Sequence, residues 1–235
     1  MDKKEIFNSG LRKAMPIALG YFPVAFTFGI MAASGGVGPL TAAFISLTNF
    51  TSAGQFAGTQ LMLVGGPLLE IAVTTFVINI RYMLMSLAIS QKLESMSLVK
   101  KLILAFGITD ETFALASLEK KEIPFLHMLG IIVGPYIGWI LGTFCGAYAS
   151  SLLPFSLQQA MGIALYAMFI ALIIPGMKKV KAVRIVVLFT ILISISLHFV
   201  PFLRNLTEGW KIIIITLLGS SASAWLFPIK EEDFT

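Results

Sequence analysis

Apolar residues gather along this chain in eight long runs, at approximately residues 14–33, 39–64, 67–90, 102–118, 124–148, 158–176, 185–203 and 208–228. A helix that crosses a bilayer needs about 20 apolar residues at a rise of about 1.5 Å each. Six of the runs are plain enough to meet that length, and two are interrupted. Run 39–64 carries Thr48-Asn49-Phe50-Thr51-Ser52-Ala53-Gly54-Gln55 at its centre, and the short run 102–118 holds Thr109-Asp110-Glu111 in its middle. A membrane barrel would need alternating polar positions, which are absent, and the hydrocarbon core excludes unpaired backbone. The pattern predicts an all-α, polytopic membrane helical bundle with six to eight crossings and broken or re-entrant segments.

Composition removes the soluble alternatives. Hydrophobic residues make up 57% of the 235 residues and charged ones 12%, with a mean hydropathy of +0.90. A soluble domain carries about 25% charged residues, so a soluble enzyme is excluded, and the spread of the runs excludes a single anchor. The first run follows Lys3, Lys4, Arg12 and Lys13 as a signal peptide would, but the many later runs make it an uncleaved first helix. The net charge of +5 comes without a long basic run or a basic-aromatic patch, so nucleic acid is not an expected partner. The single Cys145 allows no internal disulfide and no cysteine-based metal site, and no metal spacing joins His127 to His198. There is no Gly-x-x-x-x-Gly-Lys loop and no Gly-x-Ser-x-Gly elbow. Ser194 and His198 lie four apart on one helix face, but a hydrolase also needs oxyanion donors. The expectation is one integral membrane domain over 1–235 with no catalytic residue, metal or cofactor, its partner surface being the lipid bilayer.

Basic residues orient the runs. If every run crosses, 11 of the 17 Lys and Arg residues lie inside and 5 outside. If 39–64 and 102–118 dip in and return, 14 lie inside and 2 outside, with Arg81 within a run in both cases. The dipping arrangement fits the positive-inside rule better. Both arrangements put residues 1–13 and the tail 229–235 in the cytoplasm.

The polar groups at membrane depth are the candidate chemistry. Asn49, Thr51, Ser52, Gly54 and Gln55 read either as a helix break lining a substrate cavity or as hydroxyls and amides bonding across a helix interface. A broken helix offers free N–H groups at one half-helix start, which suit a carboxylate. Asn79 and Arg81 stand in the run from Ile71 to Ile89. An arginine at a helix centre costs about 2.5–3.5 kcal/mol on insertion scales, so Arg81 either grips a substrate carboxylate or pairs internally with Glu70, Asp110 or Glu111. Asp110 and Glu111 read as a proton carrier and ammonium partner, or as a helix cap with Asp110 capping a helix that starts at Glu111.

Gly130, Gly134, Gly138, Gly142 and Gly146 recur every four residues on one helix face. Such a face admits a second helix, or a partner subunit, at close range, which leaves room for a homo-oligomer. An internal repeat is suggested by Gly29 to Ser34 ending the first run and Gly146 to Ser150 ending the fifth, each run being followed by an uncharged loop.

The order of these pieces resembles the AzlC family, the large subunit of two-component branched-chain amino acid exporters of the AzlC–AzlD and BrnF–BrnE type. The resembling stretches are Pro23-Val24-Ala25-Phe26-Thr27-Phe28-Gly29, then Ser52-Ala53-Gly54-Gln55-Phe56-Ala57-Gly58, then Asn79-Ile80-Arg81-Tyr82, then Thr109-Asp110-Glu111-Thr112-Phe113-Ala114. Trp139 with Gly142 and Gly146, and the stretch from Gly162 to Leu172, continue the resemblance, which runs from about Gly10 to Pro228. It implies export of leucine, isoleucine, valine and methionine, a small AzlD-like membrane partner, and a proton or membrane-potential drive. Relatives often carry an acidic residue near the start of the sixth run, where this chain reads Ser156-Leu157-Gln158-Gln159. Coupling would then fall to Asp110 and Glu111. In this reading the substrate carboxylate meets Arg81 or the N–H groups around Ser52 to Gln55. Its ammonium meets Asp110, Glu111 or Asn49, and its side chain rests against Phe50, Phe56 and Met62. The rivals are an accessory or scaffold subunit, and an ion channel with Asn49 to Gln55 as its filter.

Overall fold

A computed structural model describes residues 2–154, 156–157, 170, 173–200 and 206–228. Most of run 158–176, Gln158 and Gln159 with it, and the tail 229–235 lie outside the described residues. The helices are α1 (Lys3–Ser34), α2 (Pro39–Thr48), α3 (Ala53–Leu63), α4 (Leu68–Ser90), α5 (Leu98–Phe106), α6 (Asp110–Ser117), α7 (Phe125–Ser150), α8 (Lys181–Phe199) and α9 (Glu208–Leu226). Among the described residues α1, α4, α7, α8 and α9 are long and apolar enough to cross a bilayer. Many large apolar side chains point outward, Leu68, Leu84 and Trp225 among them, as a surface meeting lipid requires. This is a helical membrane bundle.

The centre of the bundle is the pair α1 and α7. Methyl groups added at Gly130, Gly142 and Gly146 would collide with the carbonyl oxygens of Phe7, Phe22 and Phe26, and one at Gly138 would lie 2.7 Å from that of Ala18. The glycine stripe is therefore the surface on which α7 receives α1 at backbone range. Gly10 faces the His127 carbonyl and Gly29 faces Thr143 and Ala147, so the two helices run parallel. The start of the pair is tied by Lys13 to Glu119 at 2.5 Å, Glu119 to His127 at 3.1 Å and His127 Nδ1 to Ser9 at 2.8 Å. Burial works to raise the Glu119 carboxyl, but the Lys13 and His127 hydrogen bonds and charges outweigh it and hold it below the usual carboxylate range.

Both interrupted runs are hairpins that return to the end from which they enter. α1 finishes at Gly35, and Leu63 at the close of α3 packs against that glycine, so α2 descends and α3 climbs back. α4 then runs the full depth to the opposite end, where Leu93 bridges to Ile123. From there α5 enters and α6 returns, with Lys92 Nζ bonding the Ser117 carbonyl at 2.6 Å. At about 1.5 Å per residue the limbs are about 12–17 Å long, half of a hydrocarbon core about 30 Å thick. The dipping arrangement is thus the one observed. The N-terminus and the 91–97 and 118–124 loops share one end with Lys3, Lys4, Lys92, Lys120 and Lys121, while loops 35–38 and 64–67 at the other end hold no charge.

The expected repeat continues from α7 into run 158–176, most of which lies outside the described residues, and the described residues show another repetition. α1 and α7 are parallel neighbours, and beyond α7 the chain passes into 158–176. The described repetition is a long helix and then a re-entrant hairpin, first α1 with α2–α3, then α4 with α5–α6 in the opposite direction. The returning limbs begin alike: Ser52-Ala53-Gly54-Gln55-Phe56-Ala57 opens α3, and Thr109-Asp110-Glu111-Thr112-Phe113-Ala114 opens α6, the first residue of each being the N-cap. Glu70, one of the acids expected to partner Arg81, instead caps another helix. Its buried carboxylate accepts from Thr207 Oγ1 at 2.5 Å and from the Gly209 N–H at 2.8 Å, at the start of α9.

Candidate functional site

The tips of the two hairpins meet beside the middle of α1. Tyr21 is the joint. Its hydroxyl donates to the Glu111 carboxylate and lies 2.7 Å from Thr109 Oγ1, both on the second tip. Its ring stands edge-on to Phe50 of the first tip at 5.8 Å and to Trp139 of α7 at 5.4 Å. A partly open cavity of about 260 Å³ lies at this junction, lined by Ile17, Gly20, Tyr21, Val24, Ser52, Glu111 and Trp139. Pockets for drug-sized ligands run from about 300 Å³ upward, so this one suits a smaller solute. A larger open groove of about 730 Å³ lies between α8 and α9, but among the described residues no charged side chain lines it.

The two tips are furnished differently. α6 has a satisfied start: Thr109 is its N-cap, accepting from the Thr112 N–H at 3.3 Å, while Thr112 Oγ1 accepts from the Thr109 N–H at 2.8 Å. Asp110 is therefore the first residue of the helix and not its cap, because the Thr109–Thr112 box already serves the terminal N–H groups. Both carboxylates stand at the positive end of the helix dipole, where negative charge is favoured. α3 starts without a side-chain cap. Its N-cap, Ser52, has φ +48° and ψ −101°, and no other non-glycine among the described residues has a positive φ. Gly54 N–H donates to the Thr51 carbonyl at 3.3 Å; the other N–H groups of a first helical turn have no partner within the helix, so those of Ala53 and Gln55 are the donors α3 has left at the end where Ser52 lines the cavity.

α4 ties the tips together. Arg81 pairs with Asp110 at 2.9 Å, stacks its guanidinium 5.0 Å from the Tyr82 ring centroid, and lies 3.3 Å from the Tyr82 hydroxyl. That hydroxyl donates to the Thr51 carbonyl at 3.0 Å. Of the two readings of Arg81, the geometry is that of the internal pair. Asn79 packs against the first turn of α3, where a methyl at Gly54 would strike its carboxamide, and Asn79 Oδ1 is buried without a hydrogen-bond partner among the described residues.

The first break is held from α7. Gln55 accepts from Trp139 Nε1 at 2.9 Å and donates to Ser46 at 2.6 Å, and Ser46 bonds Thr143 at 2.6 Å. Thr51 donates to Asn49 Oδ1 at 2.5 Å. The side chains of Gln55, Thr51 and Asn49 are thus engaged in holding the hairpin, while Ser52 and Glu111 share the cavity. The expected apolar wall is corrected as well. Phe56 is buried against Phe28 at 5.1 Å and Met62 is 52% exposed, so neither lines the cavity, and Phe50 reaches its edge through Tyr21 and Trp139. Ile17, Val24 and Trp139 supply the wall instead. Tyr21 is the residue that sequence reasoning passed over, and Tyr82 and Trp139 entered it only through the family resemblance, with no role at the site. Their signal is a polar atom carried on an aromatic ring inside an apolar run, which needs a partner when buried.

The comparisons with known proteins agree with this architecture. The AzlC protein family profile matches residues 16–153, from the middle of α1 past the end of α7. An uncharacterized membrane protein of Archaeoglobus fulgidus is 34% identical, the match covering 96% of this chain and 97% of that protein. Inner membrane protein YgaZ of Escherichia coli K12 is 30% identical over 74% of each chain. An uncharacterized membrane protein of Helicobacter pylori J99 is 28% identical over 76% of this chain and 78% of its own length. No solved structure matches the chain significantly. Multi-pass, helical, and matched across both hairpins and the glycine-striped pair, the chain belongs to the AzlC family.

Proposed function

We propose that this protein is the large subunit of a secondary transporter that exports branched-chain amino acids (leucine, isoleucine and valine, with methionine as a fourth) across the plasma membrane. In this reading both termini are cytoplasmic, which places the basic end inside, and a small AzlD-like membrane subunit completes the working unit. The observation that carries the reading is the convergence of two oppositely furnished helix starts on one cavity. The uncapped start of α3 offers N–H donors and the positive end of a dipole to a carboxylate. Glu111 at the start of α6 offers an acceptor to an ammonium group. A zwitterion with both groups on one carbon spans such a pair, and Ile17, Val24 and Trp139 give its side chain an apolar wall. Asn49, Thr51, Gln55, Asn79 and Arg81 shape the tips, and Arg81 with Asp110 holds the second tip to α4.

The hairpins supply the gates. Each closes the cavity from one end with limbs half a membrane long, so withdrawal of α2–α3 opens the site outward and withdrawal of α5–α6 opens it inward. Glu111 supplies the coupling: a carboxylate that has taken a proton no longer holds an ammonium group, so proton entry releases the amino acid.

Reconstitution in liposomes, with and without the small partner, tests this. Counterflow of labelled leucine is the expected result, and Glu111→Gln should lower it about 10- to 100-fold, the worth of a charged hydrogen bond. Voltage-driven ion current without saturation would indicate a channel, and inactivity of the pair in both assays would indicate a scaffold.

A further inference from the structure

We infer that Gly20 sets the size of substrate side chain the cavity admits; this rests on the transport reading above and goes beyond it by naming the residue that selects among amino acids. The cavity has a polar end, made by Ser52, Glu111 and the Tyr21 hydroxyl, and an apolar flank made by Ile17, Val24 and Trp139. Ile17, Gly20, Tyr21 and Val24 recur at helical spacing, so one face of α1 forms a whole wall. Every residue of that wall carries a side chain except Gly20.

The other glycines of α1 have a structural reason to be glycine. Methyl groups at Gly10 and Gly29 would strike the backbone of α7. Gly20 is exposed on the open side of the cavity, where a methyl group would meet nothing within 4 Å among the described residues, and its backbone lies within an unbroken helix that any L-residue can adopt. Glycine in a helix interior is disfavoured relative to alanine, so neither its backbone conformation nor a contact among the described residues accounts for it. What a side chain at this position would do is occupy a cavity of about 260 Å³ from its α1 wall. The absent side chain is the room left for the substrate's.

The test compares wild type, Gly20→Ala and Gly20→Val in liposomes, with labelled leucine and labelled alanine in separate counterflow assays. One methylene in an apolar pocket changes selectivity about 10- to 200-fold. The leucine-to-alanine ratio should therefore fall stepwise, at least about tenfold for Gly20→Val, with alanine counterflow retained. Leu19→Ala, on the neighbouring outward position, should leave the ratio unchanged. Elution profile and melting temperature of each variant identify folded protein, and both Gly20 variants should match or exceed wild type. Folded variants with an unchanged ratio, or with leucine and alanine lowered equally, overturn the role of Gly20 while leaving the transport reading intact. A wild type that moves neither amino acid overturns both.

Discussion

Ser52 holds an unfavourable backbone conformation at the one place where a first-turn donor set meets the cavity. A non-glycine residue in such a region costs about 1–3 kcal/mol, and the surrounding bonds from Gln55 to Trp139 and from Tyr82 to Thr51 keep it there. Arg81 and Asp110 make a second residue-scale device. Their side chains are 44% and 41% exposed in the protein alone, so the pair is weaker than a fully buried one, yet each charge left single at membrane depth is expensive. Arg81→Gln alone should strand Asp110 and lower both stability and leucine counterflow, and Asp110→Asn alone should do the same to Arg81. The double variant should be better than either, with a coupling of about 1–2 kcal/mol in thermal unfolding. Additive losses would contradict the Arg81–Asp110 pairing. The sequence marks both residues, because charge inside an apolar run is visible in one dimension. It does not mark which acid Arg81 chooses, because Glu70, Asp110 and Glu111 are separated by the fold and not by their chemistry.

At the scale of elements, the breaks are legible and their geometry only partly so. Asn49 to Ser52 and Gly107 to Thr109 interrupt their runs with residues that leave a helix readily, and the chain breaks there. Whether the second limb goes on or turns back depends on contacts such as Leu63 against Gly35, and the distribution of lysines reported it only indirectly. The glycine stripe of α7 predicted a close neighbour without identifying α1. The stripe also carries a stability prediction. Gly146→Leu places a side chain where the Phe26 carbonyl already sits, so it should cost at least about 2 kcal/mol by overpacking and lower the melting temperature or yield of folded protein. The same change at Gly134, where the nearest atom is the flexible end of Leu11 at 3.0 Å, should cost less. Equal effects at the two positions would contradict the backbone-range contact.

Over the whole molecule, two features arise from the same arrangement. One is charge: the end shared by the N-terminus and the 91–97 and 118–124 loops holds the lysines, with glutamates among them, and the hairpin loops at the other end are uncharged. The other is inversion: a long helix and a hairpin occur twice with opposite direction, so one hairpin tip reaches the cavity from each end. Antiparallel duplication gives a site with two gates, and the differing starts of α3 and α6 give it two poles. The inversion escaped the sequence because only the short N-cap stretches at Ser52 and Thr109 look alike, and their register becomes meaningful once both are seen to open returning limbs.

The central claim, that an amino acid sits between the two tips, is tested most directly by following the reactivity of Ser52→Cys in a Cys145→Ser background. Saturating leucine should slow alkylation of that cysteine severalfold while leaving a cysteine at Gly38, in the loop outside the hairpin where a side chain meets no neighbour among the described residues, unaffected. An alkylation rate at position 52 that is the same with and without leucine, in protein that still performs leucine counterflow, would place the substrate elsewhere and contradict the account.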